Sequence, residues 1–113
     1  MQREIETILS NLVVDNKKIP YAFHEYNGKE TTYVTYQEIS SDIYYADDYP
    51  VFIVSTYDFD IYSKKNYLKI EEKLKKILIE SDWVWVEDNE TEFETDTRYF
   101  HKTITFRKEK NYG

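Results

Sequence analysis

From Val51 to Tyr62 the chain alternates with a period of two. Val51, Ile53, Ser55, Tyr57, Phe59 and Ile61 take the odd positions, and the even ones turn polar at Thr56, Asp58 and Asp60. Successive side chains of a strand point to opposite faces, so this pattern requires a long strand with one face on a core and the other in water. A chain built around such a strand must also supply the cover. Between Gln2 and Val14 the apolar residues Ile5, Ile8, Leu9, Leu12 and Val13 share one helical face. After Ser63, which can cap a helix through its hydroxyl, Tyr67, Ile70, Leu74, Ile77 and Leu78 form a second stripe, with Glu71–Lys75 and Glu72–Lys76 one turn apart on the wet side.

The remaining segments read as strands and turns. Asp15 and Asn16 break the first helix, and Pro20 forces Ile19 into an extended conformation, so a strand is predicted over Ile19 to Tyr26. Asn27-Gly28 accepts positive φ at low cost and reads as a hairpin turn into a second strand, Thr31 to Ile39. Ser40 to Pro50, with Asp42, Asp47, Asp48 and a proline, reads as an acidic loop unusually rich in tyrosine. Trp83 to Val86 is a short β-prone run, Glu87 to Asp96 an acidic mobile connection, and Arg98 to Lys108 a last strand with Phe100, Ile104 and Phe106 on one face. The expected architecture is α+β, in the order αβββαββ: a mostly antiparallel sheet of four to five strands with two helices packed on one face.

At 113 residues the chain fits one domain, spanning 1–113, that buries roughly two thirds of its unfolded surface. It holds no cysteine, two glycines and two prolines, so disulfides, thiolate metal sites and thiol nucleophiles are out, and packing has to stabilise it. Neither a membrane-spanning apolar run nor the apolar core of a signal peptide is present, and a protein kept in water is expected. The formal charge of −7, from 22 acids against 15 bases, repels phosphate backbones and disfavours sequence-specific nucleic-acid binding. No internal repeat or low-complexity tract occurs.

Little in the chain points to catalysis. Gly28 and Gly113 are too far apart to form a phosphate-cradling loop. His24 and His101 lack the spacing that fixes two ligands on one metal and read as ordinary strand residues. Asp58 and Asp60 share a strand face, where two carboxylates suit a hard cation or an acid–base pair, but a solvated sheet face is the better account, because no third ligand or base sits at a matching distance in sequence. The acids from Glu87 to Asp96 lack the glycine turn of a calcium loop. Twelve tyrosines, six phenylalanines and two tryptophans exceed what so small a core can hold. Either the tyrosines line the outer side of a two-faced sheet or they form a contact surface, and the cluster Tyr44, Tyr45 and Tyr49 favours contact.

Four phrases in order, Tyr36-Gln37-Glu38-Ile39-Ser40, Tyr45-Ala46-Asp47-Asp48-Tyr49-Pro50, Asp60-Ile61-Tyr62-Ser63-Lys64-Lys65-Asn66-Tyr67 and Tyr99-Phe100-His101-Lys102-Thr103-Ile104, extend over nearly the whole chain. In them the sequence resembles the small tail completion (tail terminator, or tail-to-head joining) proteins of long-tailed phages and prophages of Gram-positive bacteria. The resemblance implies a structural subunit without catalytic residues, metal or cofactor. It implies a six-membered ring of identical copies that caps the tail tube, contacts tail tube protein and head connector protein, and lets DNA pass without binding it. Its place would be the head–tail interface of the virion, and the host cytoplasm during assembly. Composition alone adds the candidate interface residues Tyr44, Tyr45, Asp47, Asp48 and Tyr49, with Glu87, Asp88, Glu90, Glu92 and Glu94. Two other readings are an acidic inhibitor or immunity-like protein that masks a basic partner, and a hydrolase that holds a metal on Asp58, Asp60 and acids of the 87 to 96 stretch.

Overall fold

The computed structural model describes Met1 to Tyr112. Along it run α1 (Gln2–Leu9), β1 (Val13–Val14), β2 (Lys17–Lys18), β3 (Tyr21–Phe23), β4 (Tyr33–Ala46), β5 (Tyr49–Ser63), α2 (Leu68–Glu80), β6 (Val84–Asp88), β7 (Glu92–Glu94) and β8 (Tyr99–Asn111). This overturns the expected α+β class, the order αβββαββ and the sheet of four to five strands. The chain is mostly β, with 51% of residues in strands against 19% in helix. Among the described residues its eight strands form two sheets: the small hairpin β1–β2, and a six-stranded sheet ordered β3-β4-β5-β8-β6, with β7 also on β8.

Each difference has a local cause. Helix α1 stops at Leu9 because Ser10 and Asn11 turn their side chains back onto the Thr7 carbonyl, at 2.6 and 3.3 Å, competing with helical backbone bonds. Leu12 still reaches the core at 0% exposure, while Val13 is exposed on β1. Asp15 and Asn16, with φ of 53° and 64°, then make a two-residue hairpin turn where only a helix break was expected. Strand β3 runs parallel to β4, pairing Tyr21 with Val34 and Phe23 with Tyr36. Asn27-Gly28 is therefore no hairpin turn. A Cβ at Gly28 would meet the Tyr26 hydroxyl at 2.1 Å, so this glycine makes room for a ring that folds back over it. Ser63 does not cap α2: it is buried, bonded to Thr32 and accepting from the Lys65 amide. The Asn66 side chain receives the Leu68 amide at 2.9 Å instead.

One face of the large sheet carries the core. Val34 and Tyr36 of β4, Tyr57, Phe59 and Ile61 of β5, and Ile104 and Phe106 of β8 are buried in one cluster with Ile5, Ile8 and Leu9 of α1 and Ile70, Leu74, Ile77 and Leu78 of α2. Each such side chain contributes about 1.5–3 kcal/mol of apolar burial. Trp83 wedges edge-on against Tyr57 and Phe59, with centroids 5.7 and 5.9 Å away. Tyr36 donates to the Glu6 carboxylate, and burial together with that charge pushes its hydroxyl up to about 12. Helix α2 ends in a Schellman motif: the Trp83 amide reaches the Leu78 carbonyl and the Asp82 amide that of Ile79. Asp82, at φ 68°, holds the left-handed position that glycine usually fills.

Candidate functional site

The segment expected to be an acidic loop, Ser40 to Pro50, is instead the outer half of a long hairpin. β4 and β5 stay paired from Tyr33–Tyr62 out to Ala46–Tyr49, and Asp47 and Asp48 at φ 50° and 69° close the turn. Such a turn needs left-handed conformation at both central residues, which asparagine, aspartate and glycine tolerate best. β8 lines the other side of β5 as far as the pair Phe52–Asn111. The result is a three-stranded arm that runs past the helices. It gives the molecule extents of 53 × 28 × 23 Å and a radius of gyration of 15.3 Å, against about 13 Å for a compact chain of this length.

The arm is built to expose apolar side chains. Ile39 is an extra residue between the pairs Glu38–Tyr57 and Ser40–Thr56, a β-bulge that reverses which β4 residues face the helix side. Beyond it Ile43 pairs with Ile53 on the helix side, where no helix covers them. Tyr44 stacks on Phe52 at 4.7 Å on the opposite face. Tyr44, Tyr45 and Tyr49 are 48, 62 and 76% exposed, and Ile39, Ile43 and Val51 are also exposed. From Glu30 to Ser63 the chain has no lysine, arginine or histidine and seven carboxylates, so the hairpin tip with Asp47 and Asp48 is acidic as well as aromatic, while β8 brings Arg107, Lys108 and Lys110 to the arm's third strand. Large uncovered apolar areas on a small protein mark contact sites.

Tyr44, Tyr45, Asp47, Asp48 and Tyr49 thus come together at one tip. The other predicted group does not join them. Glu87 and Asp88 lie on β6, and Glu92 and Glu94 on β7, paired to β8 at Thr105, Ile104, His101 and Tyr99. Tyr99 is twelve residues, about 40 Å of strand, from the arm end of β8. The acidic stretch from Glu87 to Asp96 was expected to be a mobile connection, yet half of it is paired sheet edge, with Glu90 in the short link between β6 and β7. Asp88 is committed internally: it accepts from Lys75 at 2.9 Å and from the Trp85 indole at 2.8 Å.

Among the described residues no helix covers the opposite face of the sheet, which holds a polar and aromatic row. Tyr26, Tyr33, Tyr62 and His101 stack in sequence, at 4.4, 5.0 and 4.2 Å. His101 bonds Asp60 at 2.9 Å, Thr103 donates to the same Asp60 oxygen, and Thr105 donates to Asp58 at 2.7 Å. The bond to Asp60 raises the His101 pKa above its ordinary value, with burial opposing and the Asp60 charge assisting. Burial, then the Asp60 charge, pushes the Tyr62 hydroxyl up to about 12. Asp58 and Asp60 thus each bond neighbouring β8 side chains. Among the described residues no three His, Asp or Glu side chains are grouped to hold a metal. His24 stands apart from this row, closing β3 at φ 65° against Phe23. Sequence reasoning missed the exposed Ile39, Ile43 and Val51 and the Tyr26–Tyr33 stack. The residues flanking Asp47-Asp48 were the available signal, since both sides of that dipeptide are β-prone.

No protein-family model matches the chain, and no curated protein sequence matches it.

Proposed function

We propose that this chain is a structural subunit of a phage or prophage tail, which caps the tail tube and forms the head–tail joining surface as a ring of identical copies. The observation that carries the reading is the arm: a three-stranded extension with uncovered tyrosines at its tip, on a chain whose sequence resembles tail completion proteins over nearly its full length. In this reading the subunit catalyses nothing, and its partners are its own copies, a tail tube protein and a head connector protein. Its place is the head–tail interface, after assembly in the host cytoplasm. The test is negative-stain microscopy of the purified protein mixed with bare tail tubes. Density capping one end of the tube is expected, and tubes that stay bare at every protein concentration overturn the reading.

One observation favours a second reading, an acidic inhibitor of a basic partner: the same seven carboxylates without a base from Glu30 to Ser63. It requires a one-to-one complex with a cationic protein that weakens steeply with salt.

A further inference from the structure

The two ends of the β4–β5 hairpin are chemically opposite. At the far end is the acidic, aromatic tip. At the near end, where Thr31 and Thr32 lead into β4 and Ser63 ends β5, lies a cleft of about 700 Å³, within the size range of protein binding pockets. Its apolar lining is Val14, Ile19, Pro20 and Ile70. Four lysines surround it, Lys17, Lys18, Lys65 and Lys69, against two acids, Asp15 and Glu30. All four lysines are exposed, and Asp15 is already paired with Lys69 at 3.3 Å. In a chain of net charge −7 this is a local excess of positive charge around an apolar hollow.

We infer that the arm tip of one copy seats in this lysine-rimmed cleft of the next, with Asp47 and Asp48 against Lys17 and Lys18 and the tip tyrosines on the apolar lining. Charge and shape both match: a convex, acidic, aromatic plug and a concave, basic, apolar socket. The two cannot meet within one molecule. They stand at opposite ends of a hairpin of fourteen and fifteen residues, roughly 45 Å apart. The contact is therefore heterologous, using two different patches per copy, and such contacts build rings or open chains according to the angle between neighbours. This inference rests on the self-association in the proposed function and names the surfaces that perform it.

The test compares wild type with two double variants by sedimentation velocity over a range of concentrations. D47N/D48G removes both plug charges and installs the best residues for this turn, so the arm becomes more stable while its docking weakens. K17E/K18E reverses the socket and leaves the plug intact. Wild type is expected to form species larger than dimers. Each variant alone is expected to associate roughly tenfold more weakly or worse. An equimolar mixture is expected to stop at one-to-one dimers, because it holds one working plug and one working socket. Wild-type self-association that survives both variants, or a mixture that forms no dimer, overturns the plug and socket and leaves the tail reading standing. A wild-type protein that stays monomeric also overturns it. Tube capping in the microscope is scored separately, so failure of the tail reading shows as bare tubes whichever way sedimentation turns out.

Discussion

At the residue scale, aspartate and asparagine do the work that glycine does in most chains. Asp15, Asn16, Asp47, Asp48 and Asp82 all hold positive φ, a conformation that costs a residue with a side chain about 1–2 kcal/mol and these types somewhat less. Asp82→Gly is therefore expected to stabilise the protein by about 0.5–1 kcal/mol, read as a higher urea midpoint at unchanged slope. His101 gives a pH signature. Its folded pKa is raised, so its stabilising effect is fully present below the unfolded value, near 6.5, and is lost as pH rises through the folded value. Against His101→Gln, wild type is expected to gain roughly 1 kcal/mol at pH 5, shrinking toward alkaline pH. A stability difference that grows with pH sinks the assignment of His101 and Asp60 as a charged pair.

At the element scale, the helix stripes and the alternation around Val51 to Tyr62 were legible because each is a periodic pattern repeated over several turns or pleats. β5 and the buried face of α2 lie where those patterns put them. The outer half of β4 was not legible, for two physical reasons. Ile39 bulges out and breaks the period of two, and the two aspartates that close the hairpin look like loop composition unless their tolerance of left-handed φ is considered. β7 was hidden likewise, since Glu92-Phe93-Glu94 alternates over only three residues. Parallel pairing of β3 could not be read from Asn27-Gly28, because that glycine serves the Tyr26 ring. Of the residues composition singled out, those from Tyr44 to Tyr49 lie together at the hairpin tip, whereas the acids of β6 and β7 were attached to them by charge alone. The same division predicts mutational costs. Leu74→Ala, at 0% exposure, is expected to cost about 2–5 kcal/mol. Tyr45→Ser with Tyr49→Ser is expected to cost under about 0.5 kcal/mol and to abolish partner binding, both read by chemical denaturation and sedimentation.

At the scale of the whole molecule, the body and the arm are separable in energy. Among the described residues all seventeen buried hydrophobics lie outside residues 37 to 56, so shortening the arm removes no core contact. Replacing Ile43 to Ile53 with Asn-Gly closes the hairpin between Asp42 and Val54, which already face each other. The shortened protein is expected to melt within a few degrees of wild type and to lose both self-association and tube capping. A large drop in melting temperature contradicts an arm that is free of the core.

The strand order sets a timetable for the newly made chain. β8 is the last strand, yet it lies between β5 and β6 in the sheet. Until it leaves the ribosome, β5 has one bare side and β6 has no neighbour in the sheet, so the two halves cannot be joined. A translation stall before Tyr99 would thus hold β5 with a naked edge, which makes the interval before β8 emerges the moment when this chain most needs a chaperone's protection.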